Sequence, residues 1–504
     1  MQPFEALKNL VLGLKKEEVV SIEKHLNTNQ LSQSLGKSKS FVLVKNIREI
    51  NNLSYKDALA ILYPDNNKVA FNKLIKRLHS KVLEILILDS SITSGNYSLR
   101  NSAIFKMRKK MIQIEILNLR GIDIDIQQNL NKIILNSKKY ETFDILLHAL
   151  HTKQKYLYSH GNKAKFDKVK LEIQTAEKYL SCYNRSENLF NEMLKHINLN
   201  EKSSLTEQTL LTTIEKIETD FNFTKSAIIS YYLLMLKTEF SQRSYKYLES
   251  LEYLLKLKEI IKKKDSVYTR NRYGTIILNI ANNYLLVNDF RNCNKYLEES
   301  EKLFSDVPIN LGLVKELTFF SKLNEGKLDE ASAMINLLLS DTKSGTSIMM
   351  SKRKYYQAVV KFILGEFDQS VELLNSLVEI EKDKEGWNFG IKLMQLLNYI
   401  ELKDRDKIEY SIQNIERYIK RVVNKYRINT RLIIIFKILR SLHNSNLSFK
   451  ETLKHKRKLF EKLKSDLNLA WYLRGPEIFN FESWFLCKVH NKVFIPGQMH
   501  LLLN

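Results

Sequence analysis

Five prolines and 14 glycines in 504 residues are too few for a chain of strands and tight turns, which draws on both at its corners. Three cysteines, Cys182, Cys293 and Cys487, lie far apart without paired spacing. That excludes a disulfide framework or a zinc knuckle and fits a reducing compartment. No apolar run is long enough for a bilayer; the most apolar, Leu432 to Leu439, is short and broken by Lys437. The opening MQPFEALKNLVLGLKKEEVV lacks the basic head, unbroken apolar stretch and small-residue cleavage site of a secretory leader. The expectation is a cytoplasmic all-α protein without membrane contact.

Catalytic signatures are missing as well. The chain has no GxSxG elbow, no GxxxxGK[ST] loop, no GxGxxG after a strand and no HExxH. His148 and His151 stand one turn apart and His160 follows, but no carboxylate or cysteine is spaced to complete a metal site. Acidic pairs such as Glu17-Glu18 and Glu298-Glu299 lie among lysines, as on solvated helix faces. The reading is non-enzymatic, with no catalytic residue, cofactor or metal.

What is present is helical. Hydrophobic residues make up 44% of the chain, enough for extensive burial. At 504 residues one compact core is exceeded, whereas a repeat stack, in which each unit touches only its neighbours, is not. Lys and Arg outnumber Asp and Glu by 80 to 56, a net charge of +24. Such an excess favours nucleic acid, an acidic protein or an anionic surface, and equally suits ordinary solvated helix faces.

The clearest pattern runs from Thr275 to Phe304. Ile277, Ile280, Ala281 and Tyr284 recur at helical spacing, a break falls at Val287-Asn288-Asp289, and Phe290, Cys293, Leu297 and Ser300 begin a second stripe. The corner and the small position after it return as Phe290/Cys293, Leu328/Ala331 and Phe367/Ser370, at two nearly equal steps. A less regular unit begins near Leu402, and an earlier one ends over Tyr247–Leu257. Over about 274–412 the pattern resembles a tetratricopeptide repeat, with a small residue in each helix and an aromatic at the turn, though its period is somewhat longer than the ideal. The resemblance implies helical hairpins stacked as an α-solenoid. The divisions expected are a non-repeat helical domain at 1–95, degenerate hairpins at 96–235, the array at 236–424 and a basic, aromatic C-terminal cap at 425–504.

The resemblance also implies a scaffold whose groove, lined by the first helix of each unit, captures a protein or peptide of acidic character. Its wall residues would be Asn279, Asn282 and Asn283 in one unit, Lys315, Thr318 and Lys322 in the next, and Lys354, Gln357 and Lys361 in the third.

A second resemblance involves Ser54-Tyr55-Lys56-Asp57, which has the form of a capping box, and the helix of about Lys68 to Leu88 beyond Pro64-Asp65-Asn66. This stretch is similar in pattern to the winged-helix, helix-turn-helix segment of some bacterial activators. That implies groove-facing Lys73, Lys76, Arg77, His79 and Lys81. No strand-rich segment precedes it and no wing follows, so helix packing accounts for the same residues. Further basic stripes, Arg417, Lys420, Arg421, Lys425 and Arg427, then Lys450, Lys454, Lys456, Arg457, Lys458 and Lys462, could follow a phosphate backbone. A nucleic-acid-associated regulator is therefore the alternative to the scaffold.

Overall fold

The computed structural model describes residues 2–28, 38–88, 98–198, 207–341, 345–380, 383, 386–422, 430–466 and 469–497. The polar, Ser-rich composition of Asn27 to Ser40 predicts a loop; most of that stretch, most of 89–98, and Lys425, Tyr426 and Arg427 lie outside the described residues. Among those described there are 24 helices and no strand. None of these helices is long and apolar enough to cross a membrane.

The chain divides into two compact units: 1–184 with 264–268, and 185–263 with 269–504. The first begins with α1 (Pro3–Leu12), α2 (Lys16–Thr28), α3 (Lys39–Glu49), α4 (Tyr55–Leu62) and α5 (Lys68–Leu88) around a core that includes Phe4, Leu7, Val44, Phe71 and Val82. Leu7, Leu10, Val11 and Leu14 at helical spacing predict one amphipathic helix over Phe4 to Leu26, and two form. Gly13 closes α1, and the Glu18 carboxylate accepts the Lys15 amide at 2.8 Å ahead of α2, giving the second helix its own start. The capping box is present: Ser54 Oγ accepts the Asp57 amide and Asp57 accepts the Ser54 amide.

Next come α6 (Leu99–Leu119), α7 (Ile126–Lys139), α8 (Phe143–Ser159) and α9 (Lys163–Asn198). The sequence pattern within the degenerate hairpins predicts separate helices over 163–182 and 186–197. A single 36-residue helix forms instead, because Cys182 to Ser186 contains no glycine or proline to interrupt it.

In the second unit α10 (Glu207–Thr224) precedes five hairpins among the described residues. They are α11 (Ala227–Arg243) with α12 (Tyr247–Lys263), α13 (Arg270–Leu286) with α14 (Phe290–Leu303), α15 (Pro308–Asn324) with α16 (Leu328–Ser340), α17 (Ser347–Ile363) with α18 (Phe367–Asn375), and α19 (Trp387–Leu402) with α20 (Arg405–Val422). Each helix packs on its chain neighbours. Every hairpin turn places one residue in the left-handed region two positions before the second helix: Tyr245, Asn288, Gly326, Gly365 and Lys403. The next amide bonds back to the carbonyl five positions earlier, as in Lys327 to Lys322 (3.0 Å), Glu366 to Lys361 (2.9 Å) and Asp289 to Tyr284 (2.9 Å). This Schellman closure satisfies carbonyls the first helix would leave unpaired. Glycine meets the turn's demand without strain at 326 and 365, and asparagine tolerates it at 288.

The shared turn sets a shared register. The corners Phe290, Leu328 and Phe367 are the first residues of α14, α16 and α18. Three positions on, Ser250, Cys293, Ala331, Ser370 and Ile408 are all fully buried, and four further on come Leu254, Leu297, Ile335, Leu374 and Ile412. Mostly small side chains in the first row let the hairpin helices approach, while the second row fills the space between them. The result is a tetratricopeptide-like stack.

The chain closes with α21 (Thr430–Asn444), α22 (Phe449–His455), α23 (Arg457–Ser465) and α24 (Phe481–Val489). The density of Lys and Arg from Asn446 to Ser465 predicts one basic helix, and two form, parted at Lys456, where the backbone leaves helical geometry at φ −109, ψ 17. Phe460 and Leu463 then turn inward, with Phe460 against the Phe481 and Phe485 rings.

Candidate functional site

The face presented by the first helices of the array is covered by the chain's own segment 469–497. Its non-helical part crosses several hairpins in turn. Arg474 donates to Asn282 Oδ1 on α13 at 3.2 Å. The Tyr355 hydroxyl on α17 donates to the Pro476 carbonyl at 2.8 Å, and burial pushes that phenol's pKa up. Position 390 on α19 has room only for glycine under Pro476, since a Cβ there would lie 2.7 Å from the Pro476 oxygen. The Phe479 ring stacks on Phe362 of α17 at 5.6 Å and 3°, and Lys488 pairs with Glu401 of α19 at 2.6 Å.

A buried ionic cluster fastens the segment to α21. Arg431, 4% exposed, donates through Nε and Nη2 to both oxygens of Glu477 at 2.6 and 2.9 Å, through Nη2 also to Glu482, and through Nη1 to the Leu469 carbonyl at 2.7 Å. Glu477 also accepts the Phe481 amide at 2.9 Å and so caps the approach to α24. Burial acts against the charged guanidinium, but the two carboxylates outweigh it and raise its pKa. Around the cluster, Phe479, Phe481, Trp484 and Phe485 are buried.

The nine groove residues expected from the sequence fall on two faces. Lys315, Thr318 and Lys322 precede Lys354, Gln357 and Lys361 by the step that separates Leu328 from Phe367, so these two sets are equivalent. The step from Leu328 back to Phe290, applied to the same three residues, reaches Ile277, Ile280 and Tyr284, not the asparagines. Asn279 and Asn282 are displaced from that row by two positions, about 200° around a helix. The row itself borders the second helices: Tyr284 stacks on Tyr296 of α14 at 5.6 Å, Lys322 pairs with Glu330 of α16 at 2.8 Å, and Gln357 donates to Asn336 of α16 at 2.9 Å. Lys361 pairs with Glu366 in its own turn at 2.6 Å, and Thr318 bonds the Val314 carbonyl within its helix. Asn283 is fully buried, its amide donating to the Asn279 carbonyl, so it is no exposed contact. Lys354 is exposed and Lys315 half-buried.

Of the residues named for nucleic acid, Lys73, Lys76 and Arg77 are exposed on α5. Arg417 bonds the Gln413 carbonyl, Arg421 pairs with Glu379 at 3.0 Å, and Lys420 is exposed. Lys454 and Lys458 are exposed, and Arg457 pairs with Glu461 at 2.8 Å. The histidines lie apart: His148 meets Glu115 at 3.2 Å and His160 meets Asp123 at 2.7 Å. Among the described residues no three His, Cys, Asp or Glu side chains are grouped to hold a metal. Burial pushes the Cys293 thiol up to about 12, leaving it unionised and without nucleophilic character at neutral pH.

Two features escaped the sequence reading: the Arg431 clamp and the course of 469–497 over the array. Arginine opening the apolar run Leu432–Phe436 is the one local signal of the clamp, because a charge at that position needs a partner once buried.

No family model and no curated relative matches this chain. Among solved structures it is similar to a Signal Transduction ATPase with Numerous Domains (STAND) protein with a tetratricopeptide repeat sensor from Pyrococcus horikoshii, at 12% identity and a TM-score of 0.40 over 82% of this chain. The match spans 65% of that protein, under two thirds of its length. It is also similar to aspartyl phosphate phosphatase F from Bacillus subtilis, at 12% identity and a TM-score of 0.43, over 74% of this chain and 94% of that one.

Proposed function

We propose that this chain is a non-enzymatic scaffold whose helical hairpins hold an acidic segment of a partner protein. The observation that carries the reading is a ladder of lysines. Lys315, Lys354 and Lys392 occupy one register of three successive first helices, separated by the same steps as Ala331, Ser370 and Ile408 in the second helices. Among the described residues none of the three has an ion-pair partner; Lys392 lies 5.4 Å from the centre of the Tyr418 ring. Repeated cations left without carboxylates favour an acidic chain running from hairpin to hairpin, gaining both affinity and on-rate from charge. Three buried, widely separated thiols fit a cytoplasmic setting for such a protein.

Nucleic acid is the second reading, favoured by the exposed Lys450, Lys454, Arg457, Lys458, Lys462 and Lys464 on the short helices α22 and α23. Affinity capture on the full chain at two salt concentrations separates the two. The scaffold reading expects a protein partner lost about tenfold or more when Lys315→Glu and Lys354→Glu are combined, a change of about 1.4 kcal/mol or more. If nucleic acid is captured instead, with affinity falling about a thousandfold between about 50 and 200 mM salt as expected for roughly six phosphate contacts, the second reading replaces the first.

A further inference from the structure

The segment that covers the first-helix wall is held in two different ways. From Leu469 to Val489 it is locked by the Arg431 cluster and the buried aromatic rings. Beyond the turn closed by the Lys492 amide on the Cys487 carbonyl at 2.8 Å, the hold changes. Among the described residues, 493–497 make no hydrogen bond to the rest of the chain. This arm rests on three apolar or close contacts: Phe494 against Phe479 at 5.1 Å, the buried Pro496, and Gly497 against the Asn324 carbonyl of α15. Val493, near its start, is 84% exposed.

Beneath the arm lies a cleft of about 470 Å³, bounded by the end of α17, the Gly365 turn, the start of α18 and residues 491–494. Phe362, Phe367, Trp484 and Phe494 supply aromatic walls. Its charged lining residues are Glu401 and Lys488, already paired with each other, and Lys492, which is exposed. The site thus combines an apolar floor with an excess of one positive charge at its mouth. Its volume falls within the range of about 300–1,000 Å³ typical of ligand sites.

We infer that this cleft is a docking site for an extended partner segment carrying an aromatic anchor flanked by carboxylates, with the arm 493–497 as a strap that yields to it. The ring of Phe494 already occupies one wall in the manner the anchor would, beside Phe479. A carboxylate next to the anchor would meet Lys492, the cation at the mouth that the Glu401–Lys488 pair leaves over, so apolar fit and charge select the same partner. A basic segment would be repelled at that position. The inference goes beyond the lysine ladder, which lies on a different register of the helices, and either can fail without the other.

The test uses the full chain and three fluorescein-labelled hexapeptides: Glu-Asp-Gly-Phe-Asp-Glu, the same with alanine for phenylalanine, and the same with lysines for all acidic residues. Binding is read by anisotropy. The phenylalanine peptide is expected to bind about tenfold or more tightly than either control. Leu364→Trp, at a residue 39% exposed and therefore tolerant of size, fills the cleft and is expected to remove that preference. Gly497→Ala acts in the opposite direction. A Cβ there would collide with the Asn324 carbonyl, so the arm must lift, and the phenylalanine peptide is expected to bind several-fold more tightly. Equal binding of the phenylalanine and alanine peptides, or a preference unchanged in Leu364→Trp, overturns the inference, as does an absence of binding up to millimolar peptide in both wild type and Gly497→Ala. Binding that ignores the phenylalanine yet disappears in Lys315→Glu/Lys354→Glu overturns it too, while leaving the scaffold reading in place.

Discussion

Arg431→Ala is expected to destabilise the second unit by about 3–5 kcal/mol, read as a lowered denaturation midpoint in urea. The side chain is almost wholly buried and serves Glu477, Glu482 and the Leu469 carbonyl together. Removing it leaves two carboxylates facing each other in an apolar setting with no cation between them. They must then take up protons or draw in water, and both cost stability. The loss measures the isolation of those carboxylates rather than the worth of the ion pairs, which the desolvation of three charges largely offsets. A triple replacement, Arg431→Met with Glu477→Leu and Glu482→Leu, is therefore expected to recover most of the loss. If Arg431→Ala shifts the midpoint by no more than an exposed substitution such as Arg457→Ala, the cluster does not fasten the segment.

Trp484→Ala is expected to cost a similar amount, about 3–5 kcal/mol, through the cavity it opens. Trp484 is 2% exposed and lies within ring-contact distance of Phe362 on α17, Phe449 on α22, and Phe481 and Phe485 in its own helix. Such packing cannot collapse around the missing indole without moving α24 away from the array. Trp471→Phe is the matched control. That indole is only partly buried and contributes one hydrogen bond, to the Glu477 carbonyl at 2.8 Å, so about 1 kcal/mol is expected. Thermal melts of the two variants, followed by far-ultraviolet circular dichroism, make the comparison. Equal losses would show that burial of Trp484 does not hold the cap to the hairpins.

Local features of this fold were legible in the sequence. The bounds of α5, the Ser54–Asp57 capping box and the corners at 290, 328 and 367 depend on spacing and turn chemistry within a few residues, and each is found where the sequence puts it. Helix breaks that depend on side-chain capping were not legible: Glu18 separates α1 from α2, whereas the absence of any breaker fuses α9. The earlier unit expected to end over Tyr247–Leu257 is the hairpin of α11 and α12, in which Ser250 and Leu254 keep the register even though Tyr245 takes the left-handed turn position.

The candidate site was harder to read. Placing lysines and asparagines on one wall required a register correct to a single residue, and a slip of two positions carried Asn279 and Asn282 around the helix. The partners of Arg431 lie 46 and 51 residues further along the chain, beyond the reach of any periodicity. Phe479, Phe481, Trp484 and Phe485, beyond Gly475-Pro476, are buried, and the segment that carries them continues back to α15 and covers the face that a groove reading leaves open to a ligand.

Native-state hydrogen exchange tests most directly whether residues 473–489 belong to the array as firmly as its own helices. The prediction is that amides of 481–489 exchange as slowly as those of α19, and that both lose protection together in Arg431→Ala while α5 keeps its own. Fast exchange across 481–489 beside a fully protected α19 would contradict it: the segment would then be a loose covering, and the first-helix wall an open groove.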